Sequence, residues 1–384
     1  MPMKLLKDIN IIFPDRIEKG SIIFSEKIEK IIIGEEFYNL EKGCSQELVD
    51  DKVYYLAPGF IDIHVHGAAG SDTMDATQEA LTEIKESLLE SGVTSFLPAT
   101  MSMPIEEIEK SLEAVKSNIS KERPGSRGAR ILGVHLEGPF INKDYKGVHA
   151  EENIILPDLD LIKDFIDIIK IVTLAPELEG ANELIGFLKE KGVICSAGHS
   201  AATYEEMLAA MGSGISHVTH LFNAMPGLHH RRPGIIGAAL TTDISIELIA
   251  DFIHIHPAVL QLVLQAKAPG QIILVTDQIQ AATLQEGEYS LGGQRVMVKD
   301  GVARLDDGSL AGSTLRLDQA IRNIRRISEQ PLYEIINMVS YNPACLLGLA
   351  HEFGWIKEGN RADFALLDRE LRVRAVFKDG FRQI

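Results

Sequence analysis

Cysteine is scarce in this sequence, with 3 residues in 384, at Cys44, Cys195 and Cys345. An odd number, widely spaced and without a Cys-x-x-Cys pair, supports neither a disulfide framework nor a zinc ribbon, and the three read as reduced packing residues. Long apolar runs are missing as well, since none approaches the roughly 18 residues that span a bilayer. In the opening MPMKLLKDIN, charges fall where a signal peptide would carry its apolar stretch, so a cytoplasmic protein without membrane contact is expected. Positive charge is also short. The 38 basic and 55 acidic side chains leave a net charge of -17, which repels nucleic acid phosphates and anionic lipid at long range. Internal repeats and low-complexity tracts are absent. The remainder, 45% hydrophobic and 24% charged, suits a globular protein with a large core and one or two domains.

The texture along the chain changes twice. Short β-like runs at 4–13, 21–25 and 30–33, separated by polar or glycine-containing turns, open it. After Pro58, eight apolar runs follow at 60–63, 93–97, 131–136, 168–174, 193–197, 215–219, 246–250 and 272–276. Amphipathic stretches at 77–90, 104–118, 181–191, 203–211 and 257–266 lie between them, several opened by Thr or Pro as a first turn should be. Eight such strands with intervening helices predict an α/β fold, a (β/α)8 TIM-type barrel. A glycine-rich, β-like stretch at 287–308 and helices at 317–328, 332–339 and 343–350 complete it. β-like pieces then return at 362–367 and 373–377, and their likeness to the opening residues predicts that the two ends pair into one small β domain.

In such a barrel the chemistry sits where strands end, so the polar residues directly after the apolar runs are the ones that matter. They are His64 and His66 in His-x-His after the first run, Glu137 after the third, His199 after the fifth, His220 after the sixth and Asp277 after the eighth. In an extended strand, His-x-His turns both rings to one face, where their nitrogens can meet a metal. A lone His-x-His is more often an incidental pair, but coincidence at five strand ends is a poor explanation. Imidazole and carboxylate ligands suit Zn, Fe, Mn or Co better than Ca or Mg, which prefer oxygen shells. A bound ion activates water at neutral pH and polarises a carbonyl, and Asp277 is the natural proton carrier beside it. His135, His217, His230, His256 and His351 receive no role, His135 and His217 being expected to point away or to pack behind the site. The densest cationic stretch, His229-His230-Arg231-Arg232, would supply a local basic pocket for a phosphorylated substrate.

The segments Pro58-Gly59-Phe60-Ile61-Asp62-Ile63-His64-Val65-His66-Gly67, His135-Leu136-Glu137-Gly138-Pro139-Phe140, Gly198-His199-Ser200 and Thr219-His220-Leu221-Phe222-Asn223-Ala224-Met225 resemble the N-acetylglucosamine-6-phosphate deacetylases of the amidohydrolase superfamily. Leu310-Ala311-Gly312-Ser313 and Ala362-Asp363-Phe364 extend the likeness over nearly the whole chain. The first segment is shared by many activities in the superfamily, whereas the Glu137 and His220 segments are much narrower. The resemblance implies a barrel at 57–352 and a small β-sandwich formed by both termini, 1–56 and 353–384. It implies a metal held by Glu137, His199 and His220, with His64 and His66 allowing a second, hence one or two ions per subunit. It also assigns substrate binding to His149, Asn223, Ala224, Arg231 and His254. In the family the arginine reaches the phosphate in the adjacent subunit, which implies a homodimer with shared sites. A guanidinium offers bidentate donors to such a phosphate.

The reaction implied is removal of acetate from N-acetylglucosamine-6-phosphate. Two departures from the family pattern touch the rim that reads the sugar. Asp251-Phe252-Ile253-His254 stands where the family reads Asp-Gly-x-His, and Gln278-Ile279-Gln280 precedes Ala281 where the family carries small residues. They leave open N-acetylgalactosamine-6-phosphate or another N-acyl compound as substrate. A cyclic-amide or dipeptide hydrolase without a phosphate site, and a metal-binding scaffold without activity, are the remaining readings.

Overall fold

The structure, a computed structural model, describes residues 2–34, 44–47, 50 and 52–384. Eight parallel strands form its centre. They are Phe60–Val65, Val93–Pro98, Arg130–Ile131 continued by Val134–Glu137, Ile169–Leu174, Ile194–Ala197, Ile215–Val218, Ser245–Ile249 and Ile272–Val275. Each pairs in parallel with the next. Parallel bridges at Ala99–His135 and Val65–Gln278 join the remaining seams and close the ring. The third strand breaks around Gly133, whose φ of 151° lies outside the range L side chains favour. Apolar residues from Phe60 to Val275 pack around the strands on both faces of the sheet, while a set of buried polar side chains, Asp62, His64, His135, Thr173, His217 and Glu247 among them, sits within it.

Helices Gln78–Leu89, Ile105–Lys121, Ala181–Glu190, Tyr204–Ser213, Pro257–Ala266 and Leu317–Ile327 lie where the amphipathic runs predict them, within a few residues. The Thr77 side chain caps the first by accepting from Ala80 N, and Thr203 forms a reciprocal capping box with Glu206. One further helix, Gly234–Thr241, carries no amphipathic signature, because its sequence GIIGAALT is apolar on nearly every side and nearly all of it is buried. The third crossover, in contrast, holds only short 3-10 turns such as Lys143–Tyr145 and Glu151–Asn153. The glycine-rich stretch forms three antiparallel strands, Gly287–Leu291, Gln294–Lys299 and Val302–Arg304.

The two ends of the chain meet in one mixed sheet. Tyr55–Pro58 pairs in parallel with Lys4–Ile12 on one side and antiparallel with Phe364–Leu367 on the other. Ile17–Phe24 and Ile28–Ile33 extend it at one edge, and Val373–Lys378 and Phe381–Arg382 at the other. Its apolar centre is built on Phe24, whose ring meets Phe364 and Phe377 edge-on at 5.2 and 5.7 Å. The sheet is tied to the barrel by Arg130, which lies 2.8 Å from Asp363 and 2.6 Å from Asp379. No helix among the described residues is long and apolar enough to cross a membrane.

Candidate metal centre at the barrel mouth

His64 is the penultimate residue of the first barrel strand, and His66 follows directly after the strand ends. Both rings are buried and turn to the same side, as the period of two requires. His199, His220 and Asp277 each stand two residues past the end of their strand, with φ of 47°, 29° and 51°. A non-glycine residue in this left-handed region costs about 1–2 kcal/mol, so the backbone is strained at three points around the same mouth.

Glu137 is the hub. Its Oε1 lies 3.0 Å from His220 Nε2, 3.2 Å from His199 Nε2 and 3.5 Å from His64 Nε2. Its Oε2 lies 3.1 Å from His66 Nε2 and 3.6 Å from His149 Nε2. Asp277 Oδ1 faces the first-strand pair, 3.2 Å from His66 and 3.5 Å from His64. The structure thus brings together all six residues that the strand ends pointed to.

The donor set fits a divalent ion. His199 Nε2 and His220 Nε2 face one another at 3.1 Å, a separation at which two neutral lone pairs repel unless a proton or a cation lies between them. Among the described residues, His64 Nε2 is buried without a hydrogen-bond partner although it points into the cluster. The charge balance agrees. Against the desolvation that burial imposes, the carboxylates of Glu137, Asp277 and Glu247 hold the His64 imidazolium well above the usual histidine range. Burial likewise opposes the charged form of His66, but Asp277 and Glu137 pull it up to about 9. Glu137 and Asp277 are in turn driven below the usual carboxylate range, overcoming their own burial, chiefly through His64. Buried anions in this number demand compensating positive charge, which a metal ion held by these residues would supply in place of the histidine protons.

His149 is nine-tenths or more buried, and burial pushes it down to about 4, so it is neutral at pH 7. Its Nδ1 accepts the Ser102 backbone N–H at 3.1 Å, which places the ring proton on Nε2, toward Glu137. A cavity of about 270 Å³ opens above the cluster, and His149, Asn223, Ala224 and His254 line it together with Leu291 and Leu310. His254 is oriented by Asp251, whose Oδ2 stands 2.7 Å from its Nδ1 while Oδ1 accepts two backbone N–H groups. Arg231 is not in this cavity. It is exposed in a neighbouring pocket of about 400 Å³ with His229, Tyr145 and Tyr204, and the Tyr145 carbonyl in turn meets His199 Nδ1 at 2.9 Å. Phe252, with φ of 70°, packs against the barrel core, and neither it nor the buried Gln278 lines the cavity.

A polar layer lies beneath the cluster. His135 bonds to the Ile63 carbonyl and Thr173 Oγ1 and is pushed down to about 3 by burial and by His64, while His217 sits between Ser245 and Glu247. Glu247 was not among the residues singled out from the sequence. Its signal is a carboxylate inside an otherwise apolar strand, Ser-Ile-Glu-Leu-Ile. Ser102 escaped notice too, since only the folded chain sets it beside His149, and Asp251, although quoted in the segment that ends at His254, was given no role of its own.

The family model described as the amidohydrolase family matches residues 55–382. An N-acetylglucosamine-6-phosphate deacetylase from Lysinibacillus sphaericus is 42% identical over 331 residues, 85% of this chain and 84% of the relative. An N-acetylgalactosamine-6-phosphate deacetylase from Escherichia coli O157:H7 is 39% identical over 330 residues, 85% of this chain and 86% of the relative. The crystal structure of N-acetylglucosamine-6-phosphate deacetylase from Thermotoga maritima superposes with a TM-score of 0.89 at 38% identity, covering 99% of both chains. The chain belongs to the amidohydrolase family.

Proposed function

We propose that this chain is a metal-dependent hydrolase that removes acetate from N-acetylglucosamine-6-phosphate to give glucosamine-6-phosphate. The observation that carries the reading is the convergence of Glu137, His199 and His220, with His64 and His66 beside them, on one point below a cavity that also holds Asp277. Glu137, His199 and His220 would hold one ion, and His64 and His66 with Glu137 a second. The candidates are Zn, Fe, Mn and Co, in keeping with the nitrogen-rich donor set. Bound there, the metal supplies Lewis acidity, which activates water and polarises the acetamide carbonyl.

The chain's own groups do the rest. Asp277 takes a proton from the attacking water and returns it to the departing nitrogen, so that acetate and a free amine result. The His149 Nε2–H donates toward the carbonyl oxygen as negative charge grows on it. Asn223, Ala224 and His254 hold the sugar. Arg231, exposed beside the cavity, reaches the phosphate bound by a second copy, which makes the working unit a homodimer. We read the terminal sheet as a β-sandwich of segments 1–56 and 353–384 around the barrel of 57–352, residues 1, 35–43, 48, 49 and 51 of the first segment lying outside the described ones. We place the protein in the cytoplasm.

The relative at 39% identity that carries the galacto name keeps a second reading alive, deacetylation of N-acetylgalactosamine-6-phosphate. Purified protein, stripped with a chelator and reloaded with each metal, is to be assayed for acetate release from both epimers. Metal-restored release, faster with the gluco epimer, is expected. Faster release from the galacto epimer would transfer the assignment to that substrate, and none from either would refute it.

A further inference from the structure

Glu247 lies inside the barrel strand Ser245–Ile249 with none of its surface exposed. A carboxylate so placed is costly to bury unless both its oxygens are bonded. Both are. Oε2 meets His64 Nδ1 at 3.0 Å and accepts the His220 backbone N–H at 3.1 Å, while Oε1 stands 3.2 Å from His217 Nε2. His64 and His220 belong to the first and sixth barrel strands, which are not neighbours in the ring, yet one carboxylate oxygen touches both. An imidazole that gives its Nδ1 proton to a carboxylate keeps its lone pair on Nε2, so this contact fixes both the tautomer and the plane of His64. The same oxygen holds the strained backbone of His220, where φ is 29°.

We infer that Glu247 is a positioning residue of the metal centre, a single buried anion that aligns one ligand from each half of the cluster and so sets how tightly the His64 half is loaded. It touches no substrate and acts only through His64 and His220. The inference rests on reading the cluster as a metal centre.

Two substitutions separate its parts. Glu247→Gln keeps an acceptor of the same shape without the charge, and Glu247→Met removes both. Metal-stripped wild type and variants are titrated with Co(II), followed by visible absorption and chelator competition, while urea unfolding of the metal-free forms reports the fold. Affinity should fall about 10- to 100-fold in Glu247→Met, with the absorption of the bound ion altered, and by less in Glu247→Gln. Nitrogen NMR of wild type with labelled histidine should place a proton on His64 Nδ1, a measurement that stands even if a variant fails to fold. Wild-type Co(II) affinity in both variants, whatever their loss of stability, or a His64 proton on Nε2 alone, would overturn the positioning role. Failure of wild type itself to bind Co(II) would overturn the metal-centre reading and this inference with it.

Discussion

The terminal sheet and the barrel mouth both enclose buried side chains within β structure, but they fill the space with opposite chemistry. In the sheet the central cluster is apolar, with the Phe24 ring edge-on to Phe364 and Phe377 and aliphatic residues around them. At the mouth the enclosed groups are His64, His135, His217, Glu137 and Glu247, with Thr173, Thr219 and Ser196 linked by hydroxyl contacts of 2.5 to 2.7 Å beneath them. Apolar packing is non-directional and holds a shape, whereas a polar layer holds orientations and leaves each member dependent on the others. On the proposed reading, then, the sheet answers for stability and the mouth for chemistry.

The largest expected break in that contrast is Asp277→Asn. Loss of the proposed proton carrier should lower kcat for acetate release by about 10²- to 10⁴-fold while the melting curve stays close to wild type. Early melting with activity retained in the folded fraction would instead make Asp277 a structural group. Phe377→Ala is the converse. Its loss from the sheet should cost about 3–5 kcal/mol in urea unfolding, with kcat of the folded protein unchanged. A comparable loss of kcat would mean that the two regions are not separable.

The smallest effect concerns Lys267, buried at the end of the barrel away from the mouth, where it donates to the carbonyls of Thr242 at 2.7 Å and Ile244 at 2.6 Å. Burial pushes its ammonium down to about 8. The unfolded chain keeps the proton until about pH 10.4, so between these values the unfolded state binds more protons and stability rises with pH. Below about pH 8 this group adds no slope. Urea midpoints across that range should climb in wild type, and Lys267→Met should flatten the rise. An equal rise in both would assign it to other groups.

What the sequence made legible follows the same division. His64, His66, Glu137, His199, His220 and Asp277 could be picked out because each follows an apolar run directly, and in a closed barrel the ends of all strands share one mouth. The pairing of the chain's two ends was legible from texture alone, since β-like runs recur beyond the barrel. Glu247 was not, because its meaning depends on which strands lie beside it, and within an apolar run it reads only as an interruption. The helix Gly234–Thr241 was hidden by the uniform burial that removes any periodic pattern. Phe252 and Gln278 looked like residues of the rim, yet one packs against the core and the other is buried without lining the cavity. Adjacency to a site residue in sequence does not fix the direction of a side chain when the backbone turns left-handed between them, as it does at Phe252 and at Asp277.

The central claim is that Glu137, His199 and His220, side chains from three separate strand ends, share a divalent cation. Anomalous scattering from crystals of the Co(II)-loaded protein tests it most directly. A peak bonded to Glu137, His199 and His220 together is the predicted result. Cobalt bound only elsewhere on the surface, with those three side chains bare, would contradict it.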